Sequence, residues 1–198
     1  MLEIKETKKE LKGKLDCFIW DFKIGDNILY NLDILFELVD DYNNLERTYG
    51  KPVSVIAVSI MEAIMVDFIY RLYDATSHFP KSLSFKESEI KLRLKGETTK
   101  VPHTLPSGQE VVHYKLKNFN FAPMVQVYKE FNLLGENVKI YRFLLASARL
   151  RNRLHITNYF NNFEKDENVT FSEKRVQNTL SALAWFFNYF ATEYKRPW

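Results

Sequence analysis

The chain has 198 residues, 46% of them hydrophobic, with 16 Phe, 11 Tyr and 3 Trp, which is enough apolar mass for a substantial core and too much for a disordered chain. Six Gly and six Pro are too few for a loop-rich β-sandwich, and the one cysteine, Cys17, excludes a disulfide framework or a multi-cysteine zinc cluster. The net charge is only +3, yet five cations (Lys139, Arg142, Arg149, Arg151 and Arg153) and no carboxylate fall between Asn137 and Asn162, leaving a slightly acidic remainder. Such a basic segment points to an anionic partner, phosphate first. A solvated helix face with cations near its C-terminus is the alternative reading of the same charges.

The charged N-terminal stretch lacks the apolar centre of a signal peptide. The longest apolar run, Val53 to Tyr70, is interrupted by Glu62 and Asp67. The expectation is a soluble, cytoplasmic chain with no membrane partner.

From Asn27 to about Tyr49, Ile28, Leu32, Leu35, Val39 and Tyr42 recur at steps of four and three, the stripe of an amphipathic helix. Asp26 is placed to cap its start, and Gly50 and Pro52 to stop it. A second helix, about Val53 to Asp74, is apolar nearly all round and reads as the central buried one. The period then changes to two: Ile90, Leu92 and Leu94 alternate with Lys91, Arg93 and Lys95. β-Branched residues further on flank a Pro-Ser-Gly turn, which predicts a small β-hairpin or three-stranded ribbon around residues 88–117.

Helix returns near Pro123 and runs to about Leu134, before Gly135. Another spans about Val138 to Leu154. The last starts at Thr170-Phe171-Ser172-Glu173, a capping-box pattern, and carries Leu180, Leu183, Ala184, Phe187 and Phe190 on one face. No repeat or linker divides the chain. The prediction is all-α: one domain over residues 1–198, a bundle of five or six helices with a small β insertion.

The sharpest chemical cluster is Arg149-Leu150-Arg151-Asn152-Arg153-Leu154-His155. On a helix, residues four apart lie about 40° from alignment and residues six apart about 120° away. Arg151 and His155 therefore share a face, which Ser147 extends by one turn, while Arg149 and Arg153 form a second pair on another. Imidazole exchanges a proton near neutral pH and guanidinium binds phosphate oxygens through a planar fork, so the pair suits phosphate chemistry. Asn152 is placed to orient a substrate group or cap the helix end. The same residues also suit plain capping of the last carbonyls.

Weaker patterns lie elsewhere. Glu110 and His113 have the spacing of di-iron helices but fall in a predicted strand. His103 and His113, without a third ligand, make a poor zinc site. Cys17 has no neighbouring base and reads as packing. Trp185, Phe186 and Phe187 cover more than one helix face, more than one bundle is expected to bury, and so predict a homodimer surface near the last helix.

The run Arg151-Asn152-Arg153-Leu154-His155-Ile156 resembles the signature of the HEPN superfamily, all-α domains common in prokaryotic toxin and antiviral systems. That motif is an Arg, often followed by Asn, with His after four to six intervening residues. Ser59-Ile60-Met61-Glu62-Ala63 resembles the Ser-x-x-Glu-Ala stretch of an earlier core helix in such proteins. Arg151 carries the Arg-Asn dipeptide but leaves three residues before His155, whereas Arg149 leaves five and is followed by Leu150. Helical geometry favours Arg151. The resemblance implies a metal-independent endoribonuclease, active as a homodimer without a cofactor, in a toxin–antitoxin or phage-defence setting with a possible cognate antitoxin. His155 would act as general base or acid, and Arg151 or Arg149 would stabilise the phosphorane oxygens. Glu62 would pair with a motif arginine or face a solvent gap. Arg153, Arg142 and Lys139 would bind RNA. The resemblance equally allows a non-catalytic module that binds RNA, a nucleotide or a protein.

Overall fold

A computed structural model of the chain describes residues 1–45, 49–74, 98–104, 107–116, 121–152 and 166–196. Among these, six helices of ten residues or more and one single turn dominate. They are α1 (Lys8–Phe18), α2 (Phe22–Leu45), α3 (Gly50–Asp74), α4 (Phe121–Glu130), α5 (Val138–Asn152), the single turn α6 (Glu167–Thr170) and α7 (Glu173–Glu193). Strands β1 (Thr98–Thr104) and β2 (Glu110–Leu116) pair antiparallel, with Pro102 opposite Val112, and β3 (Leu133–Glu136) follows α4. Gly108, in the connection between β1 and β2, has φ +80°, a conformation that glycine adopts without a Cβ penalty. Of the insertion expected at 88–117, residues 88–97, 105, 106 and 117 lie outside the described residues.

The central helix is α3, as its uniform hydrophobicity requires. It packs against α2, α5 and α7, while α1 lies on α2 and α7, and α4 on α5. Its stretch Gly50–Ile69 is long and apolar enough to cross a membrane, and 61% of it is buried inside the fold. The predicted α2 stripe (Ile28, Leu32, Leu35, Val39, Tyr42) is buried throughout, as are Leu180, Leu183, Ala184, Phe187 and Phe190 of α7. Phe190 sits among the rings of Phe18, Phe68, Phe186 and Tyr194, with centroids 5.3–5.8 Å away. Truncating such a ring costs about 3–5 kcal/mol.

Several boundaries differ from the sequence expectation. Helix α2 starts at Phe22, so Asp26 is an exposed residue of its first turns and caps nothing. Asp21 supplies the cap instead, its Oδ1 accepting from the Ile24 amide at 3.0 Å. Gly50 and Pro52, expected to stop a helix, open α3; proline has no amide to lose in a first turn. A Cβ at Gly50 would come within 2.9 Å of the Phe171 carbonyl oxygen, so glycine lets α3 press against the α6–α7 corner. The capping box expected at Thr170–Glu173 does not form: Thr170 belongs to α6 and donates to Asp166 O, and Ser172 caps α7 without a side-chain hydrogen bond. A capping box does form at Thr7 and Glu10, at the start of α1. Phe186 and Phe187, expected to exceed what one bundle buries, are fully buried within the single chain.

The α1–α2 corner is tied to α3 by a buried carboxylate. Asp67, 2% exposed, accepts from the Trp20 amide at 3.0 Å and the Asp21 amide at 2.7 Å. Tyrosines tie the other side: Tyr128 on α4 donates to Met65 O of α3 at 2.7 Å, Tyr194 donates to Leu133 O, and Tyr141 accepts from Leu134 N at 2.9 Å while donating to Gly135 O.

Asp67→Ala leaves two amides of the corner without this acceptor, and should cost about 2–4 kcal/mol in chemical denaturation. Asp67→Asn retains one acceptor and should cost less. Equal stability of wild type and Asp67→Ala would show that the corner holds without the carboxylate.

The same tyrosines set an alkaline limit. Burial pushes the Tyr141 phenol from its ordinary 10.0 up to about 12, and burial drives Tyr128 and Tyr194 well above their usual range. A phenol whose folded pKa is raised binds its proton more tightly in the native state. Its stabilisation is intact below pH ~10 and is lost as pH rises towards the folded values. Tyr ionisation followed by ultraviolet absorbance should show a late phase that coincides with loss of helical circular dichroism. Full titration of all tyrosines near pH 10, with the helices intact, would contradict this.

Candidate functional site

Helix α5 carries most of the residues singled out for chemistry, and its two faces differ sharply. Asn137 opens it, its Oδ1 accepting from the Lys139 amide at 3.1 Å. The inward face buries Ile140, Tyr141, Leu144, Ser147 and Ala148. The outward face exposes Lys139, Arg142, Ala146 and Arg149 at steps of three, four and three, one continuous stripe. From Lys139 to Arg149 it rises about 15 Å.

Three cations elsewhere are held in ion pairs. Lys8 pairs with Asp33, Lys14 with Glu6 at 3.6 Å, and Lys51 with Glu167 at 2.7 Å. None of Lys139, Arg142 and Arg149 has an ion-pair partner among the described residues. The stripe is therefore an uncompensated positive edge open to solvent.

Arg151 and Asn152 are the last described residues of α5, and Arg153 and His155 lie outside them. The backbone puts position 151 four residues after Ser147 and three after Ala148, on the inward side of the helix. Arg149 is on the outward side, so the two arginines that compete for the motif sit on opposite faces of the helix. Glu62 is half-buried on α3, the helix that α5 packs against, and takes part in a polar or electrostatic interaction.

Ser147 adds something that its position in the sequence did not reveal. It is 1% exposed, and among the described residues its Oγ has no hydrogen-bond partner. A serine in mid-helix normally donates to a carbonyl one turn back, or faces water. Alanines at 146 and 148 show that the helix itself does not need the hydroxyl.

The other candidates are not gathered here. Glu110 and His113 lie in strand β2, which removes the helical spacing that a di-iron pair needs. The β1–β2 register sets His103 opposite Val111 and His113 opposite Val101, so the histidines are diagonal rather than facing. No group of three or more metal-ligating side chains occurs among the described residues. The Cys17 thiol donates to Gly13 O at 3.2 Å, a local helix contact. A cleft of about 490 Å³ lies between the N-terminal ends of α3 and α7, lined by Tyr42, Lys51, Phe171 and Ser172 among others. It contains no α5 residue, and its cation Lys51 is held by Glu167.

Replacing Ser147 by alanine removes a buried hydroxyl that has no partner, and should raise stability by about 1 kcal/mol in a thermal or denaturant melt. A loss of stability instead would mean that the hydroxyl is satisfied in solution.

Comparison with family models, with curated proteins and with solved structures finds no match to this chain.

Proposed function

We propose that this protein binds RNA along α5 and cleaves it without a metal, in the manner of the HEPN proteins that its Arg-Asn-x-x-His run resembles. The observation that carries the reading is the uncompensated stripe of Lys139, Arg142 and Arg149, on a helix whose opposite face leads to position 151. Phosphates of a single strand bind the outward cations, Arg153 extending the contact. The scissile phosphate reaches the end of the helix, where Arg151 and His155 act. His155 takes the proton of the 2′-hydroxyl, whose oxygen attacks phosphorus; the bond to the 5′-oxygen breaks, and that oxygen leaves with a proton supplied by an acid. The products are a cyclic phosphate and a 5′-hydroxyl. Arg151 stabilises the equatorial oxygens as charge develops, Asn152 orients the substrate and Glu62 holds the arginine.

In the same reading the active form is a homodimer that brings two motifs together. The system is a toxin–antitoxin or phage-defence pair, and the β1–β2 ribbon is an appendage inserted into the bundle. A second reading is favoured by one observation: only three residues separate Arg151 from His155, one fewer than the HEPN window. The same basic face then serves a module that binds RNA without cutting it.

Two measurements separate these. Lys139→Ala, Arg142→Ala and Arg149→Ala combined should weaken RNA binding and reduce the slope of log affinity against log salt by about 2, at roughly 0.7 per phosphate contact on a single strand. An unchanged slope would remove α5 from the RNA interface. Cleavage in EDTA should persist in wild type and in Arg149→Ala and vanish in His155→Ala and Arg151→Ala, with folding checked by thermal melting. Retained cleavage in His155→Ala overturns the catalytic role; binding without cleavage in wild type leaves the module.

A further inference from the structure

Helix α2 has an outward face whose composition is unusual for a solvated surface. Phe22, Asp26, Tyr30, Asp33, Glu37 and Asp40 recur at steps of four, four, three, four and three, opposite the buried Ile28–Tyr42 stripe. All six fall within about 40° of one line along the helix. Phe22 is 82% exposed and Tyr30 67%, the most exposed large apolar side chains after Met1 among the described residues. The helix carries five carboxylates (Asp26, Asp33, Glu37, Asp40 and Asp41) and one cation, Lys23. Asp33 holds Lys8, whereas Asp26, Glu37 and Asp40 have no ion-pair partner among the described residues. A single exposed aromatic is ordinary. Two of them in line with free carboxylates suit a guanidinium, which offers its planar fork to the carboxylate and its flat face to a ring.

The stripe on α5 is the counterpart in charge and also in spacing. Arg142 and Arg149 lie about 10.5 Å apart along their helix, and so do Asp33 and Asp26. Lys139 is about 4.5 Å beyond Arg142, and Glu37 about 6 Å beyond Asp33. The long and short spacings come in opposite order along the two sequences, so they match only when the helices run antiparallel. In that register Arg149 faces Asp26, Arg142 faces Asp33 and Lys139 faces Glu37. Position 149 then lies between Phe22 and Tyr30, one turn to either side of Asp26. Antiparallel helices also set the positive end of one dipole against the negative end of the other. Lys139, Arg142 and Arg149 are exposed in the folded chain, as are Asp26, Glu37 and Asp40, so the stripes do not cover each other within one molecule.

We propose that the outward face of α2 is an interaction surface for a second copy of this chain, which it meets through that copy's α5 stripe. The joined surfaces are unlike, so the contact is heterologous unless two copies exchange it about a twofold axis. One helix pair is small against the roughly 1,600 Å² of a standard interface, so the association is weak, reversible and sensitive to salt. It stands on the two stripes and does not rest on the RNA reading.

The test is sedimentation equilibrium of the full chain, free of nucleic acid, over a range of concentrations. Average mass should rise with concentration at about 50 mM salt, and the association should weaken about ten-fold or more at about 500 mM. Charge exchange then tests the register. Asp26→Lys with Glu37→Lys puts cations on both stripes, and Lys139→Glu with Arg149→Glu puts carboxylates on both, so each variant alone should associate less than wild type. Mixed in equal amounts, the two variants restore opposite charges at every contact between them, and the mass should rise again. Wild type whose mass is independent of concentration, or whose association ignores salt, overturns the proposal. So does either variant that associates as wild type does, or a mixture no heavier than its components. All four substituted side chains are exposed, and circular dichroism checks that the variants fold. If a reversed variant does not fold, Asp26→Asn with Glu37→Gln replaces it and should weaken association several-fold; unchanged association overturns the contact.

Discussion

One carboxylate inside an apolar helix organises the described half of the bundle that holds α1 and α2. An unpaired charge at the position of Asp67 would be prohibitive, so the fold has to bring donors to it. It brings the amides of Trp20 and Asp21, at the turn between α1 and α2, where the start of a helix has amides to spare. The pairing fixes where α1 ends and α2 begins relative to α3. With that corner set, the Ile28–Tyr42 stripe of α2 falls on α3. The last carbonyls of α1 are satisfied beside that corner, as the Arg196 amide donates to Cys17 O at 2.8 Å and its guanidinium to Asp16 O. A basic side chain is favoured there by the partial negative charge of the helix end.

What was legible in the sequence was the part governed by long periodic hydrophobicity. The α2 stripe, the all-round apolar α3 and the buried face of α7 need many residues to agree, and they did. What was not legible turned on short-range choices. Helix α1 offers only Leu11, Leu15 and Phe18 to the core, too short a stripe to stand out among lysines and glutamates. Gly50 and Pro52 are compatible with both ending and starting a helix; the close approach of the Phe171 carbonyl, a tertiary fact, decides which. Thr7–Glu10 and Thr170–Glu173 carry the same four-residue spacing, yet only the first forms a capping box, because Thr170 is already inside a helical turn begun by Asp166.

The candidate site divides in the same manner. The density of cations on α5 was visible in composition alone, and a helical wheel assigns Lys139, Arg142 and Arg149 to one stripe. Helical position separates 149 from 151: 149 is exposed, whereas 151 continues the face on which Ser147 and Ala148 are buried. Sequence could give the spacing of Arg149 and Arg151 to His155, but it could not say which face the bundle covers. Asn43 and Gln177, whose carboxamides bond to the backbone of Leu2 and Glu3, carry no pattern at all. A carboxamide on a helix surface looks the same whether it meets water or clamps another segment.

The distribution of charge joins these points. Three described lysines outside α5 are held by carboxylates: Lys8 by Asp33, Lys14 by Glu6 and Lys51 by Glu167. Exposed pairs of this kind contribute little to stability, about 0–1 kcal/mol each, so their main effect is on the field outside the molecule. Among the described residues no carboxylate pairs with Lys139, Arg142 or Arg149, whose positive potential reaches over a screening length of about 8–10 Å. In the proposed RNA reading, the alignment of these cations along one helix edge, rather than their number, is what favours a polyanion there.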